Sequence, residues 1–323
     1  MLSVQEIIDM LAQPEARLPS ITDWLMHQVW SEDRFAQLRP EAYLEEGEKM
    51  VHGVEEMILS SAFSLYDEIA AASTNASRLS ALFSDEAPTT IVVFDGTSLR
   101  EIPMLHYLAK ETGFEILQSG YSVAGLPSET LSFVEQRIIG KRVTPSELPR
   151  RQELKEIGVA AFYYDAVHRY FPLAGEPPKA GLLWSQFPDG TFKDMGARFA
   201  THFGEIRKMF DTAWQKIVME IPKGHRIIIT SDHGYIFFGQ GLESTYPNDA
   251  ARWLNQDRFK FFGESESLPQ EAEGLQVFGD RRLAMLRGRI KNRPQGPSAK
   301  NAYRHGGISL MEMLTPWLVI QHI

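Results

Sequence analysis

Four segments of the chain end an apolar, β-rich run in residue types that bind metals or move protons. Ile91-Val92-Val93-Phe94 runs into Asp95-Gly96, and Ile227-Ile228-Ile229-Thr230 runs into Ser231-Asp232-His233-Gly234. Phe162-Tyr163-Tyr164 leads to Asp165-Ala166-Val167-His168, and Tyr303-Arg304 leads to His305-Gly306-Gly307. Together they offer the carboxylates of Asp95, Asp165 and Asp232 and the imidazoles of His168, His233 and His305. That donor set suits two divalent cations, zinc first and manganese second. Two such ions roughly 3.5–4 Å apart can hold both the attacking and the leaving oxygen of an in-line phosphoryl displacement. Each segment alone has a plainer reading. Asp-Gly is an ordinary strand-to-turn pair, and Asp165 with His168 suits an exposed turn. His-Gly-Gly also occurs in lipase oxyanion loops, but the chain has no Gly-x-Ser-x-Gly elbow to accompany it. The combination is far more specific than any member.

A nucleophile for such a site cannot be a thiolate, because the chain contains no cysteine. Disulfides and cysteine-based zinc sites are excluded on the same ground. Leu126-Pro127-Ser128-Glu129-Thr130 precedes a helix expected up to Gly140. A hydroxyl there would meet the free N–H groups and positive dipole end that favour an alkoxide and a phosphate. From spacing alone, the plainer reading is that Ser128 or Thr130 merely caps the helix.

Positioning these groups requires strands that stop at one edge. Runs at Thr90–Phe94, Glu115–Ser119, Gly158–Tyr164, His225–Thr230, Leu275–Phe278 and Trp317–Ile320 have strand texture. They alternate with helical stretches at Glu101–Glu111, Thr130–Gly140 and Met195–Glu220. Such alternation predicts an α/β fold with a mostly parallel sheet and helices on both faces. Ligands in such sheets gather at the carboxyl ends of the strands. Residues 1–88 instead read as a helical region, with a capping-box pattern at Ser3 and Glu6 and helical apolar spacing from Met50 to Leu65. The expected division is therefore 1–88, helical, and 89–323, catalytic, with a cap-like insertion at about 240–300.

The 323 residues are 43% hydrophobic and 23% charged, an ordinary globular composition. No apolar stretch approaches the roughly 20 residues of a membrane span. The first residues carry acids rather than a basic region, so a cytoplasmic protein without membrane contact is expected. A net charge of −9 argues against generic nucleic-acid binding. Locally, however, Arg281, Arg282, Arg287, Arg289, Lys291, Arg293, Lys300 and Arg304 follow one another without an Asp or Glu. This predicts a basic wall beside His305, with Arg287, Arg289, Arg293 and Arg304 as phosphate-binding residues on a Gly-Pro-rich flap.

In this order the motifs resemble the alkaline phosphatase superfamily, and within it the PglZ domains. The resemblance is carried by Asp95-Gly96, Pro127-Ser128-Glu129-Thr130, Ser231-Asp232-His233-Gly234-Tyr235, Arg304-His305-Gly306-Gly307-Ile308-Ser309-Leu310 and the closing Glu312-Met313-Leu314-Thr315-Pro316-Trp317. It covers roughly 90–323 and implies an alkaline-phosphatase-like core. It implies one metal held by Asp95, Thr130, Asp232 and His233, and a second held by Asp165, His168 and His305. Thr130 matches the attacking residue of superfamily phosphodiesterases, with Ser128 as fallback. PglZ domains show His-Asn-x-Ile-Asp at the mid-sheet site, whereas here the carboxylate comes first, which implies a swapped ligand pair. The implied activity is that of a metal-dependent phosphodiesterase or nuclease-like phosphohydrolase on nucleotide or nucleic-acid phosphoesters, of the type linked to phage defence. The alternatives are a phosphomonoesterase, sulfatase or mutase, or a non-catalytic scaffold whose N-terminal helices dock a protein partner.

Overall fold

Thr89–Phe94 (β1) carries no charge and is buried along its whole length, as a strand covered on both faces must be. Its side chains alternate: Val92 and Phe94 join one apolar cluster, Ile91 and Val93 another on the opposite face. The computed structural model that shows this describes residues 4–13, 17–59, 64–84, 87–165, 179–192, 199–238, 241–242, 244, 254, 257–291 and 303–323.

β1 lies inside a six-stranded sheet with β2 (Phe114–Val123), β3 (Val159–Tyr164), β4 (Ala180–Ser185), β5 (Arg226–Thr230) and β11 (Leu314–His322). The order is β2-β11-β5-β1-β4-β3. β5, β1, β4 and β3 run parallel, and β11 is antiparallel to both of its neighbours. The expected α/β architecture is present. β4, between β1 and β3, has no counterpart among the expected strands. A second departure concerns Leu275–Phe278 (β8), which leaves the main sheet and pairs antiparallel with β9 (Leu283–Leu286), itself paired with β7 (Phe259–Phe261). A two-residue ladder joins β6 (Ile236–Phe237) to β10 (Tyr303–Arg304).

The α-helices of the described residues are α1 (Val4–Leu11), α2 (Arg17–Trp24), α3 (Glu32–Gln37), α4 (Pro40–Leu59), α5 (Leu65–Asn75), α6 (Ile102–Glu111), α7 (Thr130–Phe133), α8 (Gln152–Glu156), α9 (Asp189–Phe192), α10 (Phe199–Ala213) and the last, α11 (Leu310–Met313). The side chains of α4, α6 and α10 close one face of the sheet, and Phe133 of α7, Val134, Ile138 and Leu154 of α8 close the other.

Side chains from before and after the boundary expected at residue 88 share one apolar cluster. Leu44, Val51 and Ile58 of α4 pack in the same cluster as Phe94, Leu105 and Phe210. Tyr43 donates its hydroxyl hydrogen to the Arg100 carbonyl at 3.0 Å. Glu48 and Glu55 of the acidic helix point inward and are fully buried. Glu48 pairs with the Arg100 guanidinium, and Arg289 reaches Glu48 and Glu55, each at 2.7 Å. Burial alone would raise the Glu48 pKa, but Arg100 and Arg289 hold it below the usual value. α4 thus braces the interior through Glu48 and Glu55, while Glu45, Glu46 and Glu56 lie on its exposed face.

Candidate active site

Register aligns the ends of the three central strands. Phe94 sits beside Ser185, and Val93 beside Thr230, so whatever follows them emerges at one edge. Asp95 then donates its N–H to the Ser185 carbonyl, and Asp189, just past β4, donates its N–H to the Asp95 carbonyl, both at 3.0 Å. Gly96 has φ +75°, where a side chain would be strained and its Cβ would approach that of Asp189. Its N–H donates to Asp232 Oδ1 at 3.1 Å. On the β5 side, a Cβ at Gly234 would fall 2.1 Å from the Met311 carbonyl oxygen, so only glycine lets this turn pass the last helix.

Thr130 opens α7 at this edge. Its hydroxyl donates to Asp232 Oδ2 at 2.7 Å and lies 3.5 Å from His233 Nε2. His233 Nε2 is 3.6 Å from Asp95 Oδ1 and 3.5 Å from Asp232 Oδ2. Asp95 accepts from the buried Trp184 indole at Oδ2, 3.2 Å away. The His305 ring stacks on that of His233, with centroids 4.0 Å apart, and its Nε2 faces Asp189 Oδ1 at 3.9 Å. Ser128 is not oriented as a nucleophile. It donates to the Gly307 carbonyl at 2.8 Å and accepts from Gly306 N–H at 2.9 Å, which ties the helix start to the His-Gly-Gly turn. That turn is braced by Arg258, which makes a two-pronged contact with Glu312 at 2.6 and 2.7 Å. A Cβ at Gly307 would strike the Arg258 guanidinium.

Burial works against charge on His233, but Asp232 and then Asp189 outweigh it and raise its pKa. Burial and the neighbouring His233 together lower that of His305. Two groups of side chains have donor atoms close enough to share an ion: Asp95, Asp232 and His233, and Asp189, His233 and His305. Asp95 and Asp232 are 5% and 0% exposed, and carboxylates packed so closely out of water call for a compensating cation. Carboxylate oxygen, imidazole nitrogen and a hydroxyl form a borderline-hard donor set, so the residues fit a divalent metal such as zinc or manganese.

Of the expected ligands, Asp95, Thr130, Asp232, His233 and His305 come together. Asp165 does not. It is exposed at the end of the edge strand β3, outside both groups. With β4 intervening, β3 lies two strand spacings, roughly 10 Å, from β1. Asp189, which was not among the expected ligands, lies in the group with His233 and His305. The signal was a strand-like Leu182-Leu183-Trp184 followed by Pro188-Asp189-Gly190, the same strand-to-Asp-Gly pattern that marked Asp95. His168 lies outside the described residues, as does Arg293.

Two of the arginines expected in the basic wall are engaged with acids. Arg289 is fully buried against Glu48 and Glu55. Arg287 pairs with Asp67 at 3.0 Å and Glu271 at 2.8 Å. Arg304 is the one described arginine of the expected four that lines the cavity beside the cluster. That cavity, about 300 Å³, is also walled by Glu129, Asp189, Asp257, His305 and the rings of Phe192, Phe259 and Tyr303. Phe192 and Tyr303 stack with centroids 4.5 Å apart and planes within 6°.

No protein-family model matches the chain, and no curated protein does. Among solved structures, murine ectonucleotide pyrophosphatase/phosphodiesterase 5 is similar at 14% identity, over 72% of this chain and 87% of that one, with a TM-score of 0.45. An inactive variant of that protein in complex with AMP is similar at 14% identity, over 72% and 88%, with a TM-score of 0.45. Phosphonoacetate hydrolase from Sinorhizobium meliloti 1021, in complex with phosphonoacetate, is similar at 13% identity, over 73% and 90%, with a TM-score of 0.41.

Proposed function

We propose that the chain is a metal-dependent phosphoester hydrolase in which Thr130 Oγ1 is the nucleophile. The observation that carries this is Thr130 Oγ1 donating at 2.7 Å to Asp232 Oδ2, inside a cluster of two buried carboxylates and a histidine. A divalent cation held by Asp95, Asp232 and His233 would lower the hydroxyl pKa and offset charge on the phosphoryl oxygens. Asp232 Oδ2 orients the hydroxyl and is where its proton first goes. Attack forms a Thr–O–P bond as the bond to the leaving oxygen breaks; that oxygen takes up the proton and departs as the alcohol, and water then cleaves the phosphothreonine, releasing the phosphate monoester and restoring the Thr130 hydroxyl. Asp189 and His305 complete the second group only with His233, whose one Nε2 would serve the first cation, so they would contribute to a second cation beside further ligands; in this reading Asp189 stands in for the swapped Asp165–His168 pair.

The cavity supports a phosphodiester with a planar group, as in a nucleotide. Phe192, Phe259 and Tyr303 offer ring faces, and Arg304 offers a phosphate contact. Glu129 and Asp257 in the same wall disfavour the second charge of a monoester. With Arg287 and Arg289 engaged elsewhere, preference for a long polyanion loses its support. The test is Thr130→Ala assayed on an aryl phosphodiester with zinc or manganese added. Turnover should fall by at least about 10³-fold with bound metal retained. Retention of most turnover would remove Thr130 from the mechanism.

A further inference from the structure

Away from this cluster, a cavity of about 330 Å³ lies between α3, α6 and β2, lined by Met26, Trp30, Glu32, Ile102, His106 and Ser119 among others. It shares no lining residue with the cavity beside Thr130. Ser119 Oγ lies 2.7 Å from His106 Nε2, and His106 Nδ1 lies 2.7 Å from Glu32 Oε1. Lys110 donates to the other Glu32 oxygen at 2.6 Å. A hydroxyl on one nitrogen of a histidine and a carboxylate on the other is the arrangement that activates a serine.

We propose that Ser119, His106 and Glu32 form a second hydrolytic site, a serine esterase acting on small carboxylic esters with an apolar acyl group. Sequence distance hides the set, since the three residues come from a helix start, a helix and an edge strand. With the Nδ1 hydrogen directed at Glu32, His106 Nε2 presents a lone pair to the Ser119 hydroxyl. Burial lowers the His106 pKa and this outweighs the pull of Glu32, so the ring is a neutral base near pH 7. Lys110 and His106 hold Glu32 ionised against the effect of its partial burial. Ser119 is exposed on β2, the edge strand, and so open to substrate. Met26, Trp30, Ile102 and Pro103 give the cavity an apolar wall for the acyl group. Glu32 and Asp33, also in the wall, disfavour an anionic substrate.

In the first step Ser119 Oγ bonds to the carbonyl carbon and its proton passes to His106 Nε2. The ester C–O bond breaks, and the leaving oxygen takes that proton and departs as the alcohol. Water then attacks the acyl-serine, gives a proton to His106, and releases the carboxylic acid as Ser119 recovers its hydrogen. Ester and water are consumed, and alcohol and acid are formed.

The test uses the full chain, a fluorophosphonate probe and p-nitrophenyl acetate, both with EDTA present to silence metal-dependent turnover. Wild type should take up one probe per chain and show a burst of nitrophenol. Ser119→Ala and His106→Ala should each lose labelling and burst by at least about 10²-fold, and Glu32→Gln should slow acylation and shift its pH profile. Ser119→Ala should leave metal-dependent phosphodiester turnover unchanged, so the two sites fail independently. No labelling and no burst in wild type, or labelling that persists in Ser119→Ala, would overturn the proposal.

Discussion

Replacing Arg289 with Met separates a phosphate-binding arginine from a structural one. Arg289 is 0% exposed and meets Glu55 through Nε and Glu48 through Nη2, each at 2.7 Å. Glu48 would keep Arg100, but among the described residues Glu55 would retain only the Leu310 N–H at 2.7 Å. The buried network would then carry one uncompensated negative charge. Breaking a buried pair from one side costs about 3–5 kcal/mol. At about 2.1 cal/mol/K per residue, 323 residues unfold with an entropy near 0.7 kcal/mol/K, so Tm should fall by about 4–7 °C. Arg289→Met combined with Glu55→Gln should recover part of that loss, because the stranded charge is gone. Scanning calorimetry measures the shift, and steady-state kinetics on an aryl phosphodiester should show KM little changed. A Tm within 1 °C of wild type together with a several-fold rise in KM would refute the structural role and return Arg289 to the substrate.

Two further substitutions test the site itself. Asp189→Asn should lower bound metal and phosphodiester turnover, while Asp165→Asn, at an exposed position outside the cluster, should alter neither; metal analysis of the purified variants decides this, and the reverse pattern would restore Asp165 as the ligand. Trp184→Phe removes the 3.2 Å indole hydrogen bond to Asp95 Oδ2 while keeping a ring in the core, and metal affinity measured by competition with a chelator should weaken by about 10- to 100-fold.

Asp95, Asp232 and His233 were legible in the sequence because the chemistry is local there. A fully apolar run must be a covered strand, and the polar residues that end it must emerge at the strand's carboxyl edge. Thr130 was legible as a hydroxyl at a helix start, but spacing left it level with Ser128. Only the folded chain separates them, by aiming Thr130 at Asp232 and tying Ser128 to Gly306 and Gly307. Which strands are neighbours is not local information. The sequence shows that β3 ends in an aspartate, yet β4 slips between β3 and β1 and brings Asp189 to Asp95 instead. Charge runs are equally ambiguous, because an arginine looks the same whether it faces water or a carboxylate far along the chain. Arg289 meets Glu55 across 234 residues, and that pairing exists only once α4 has packed against the sheet.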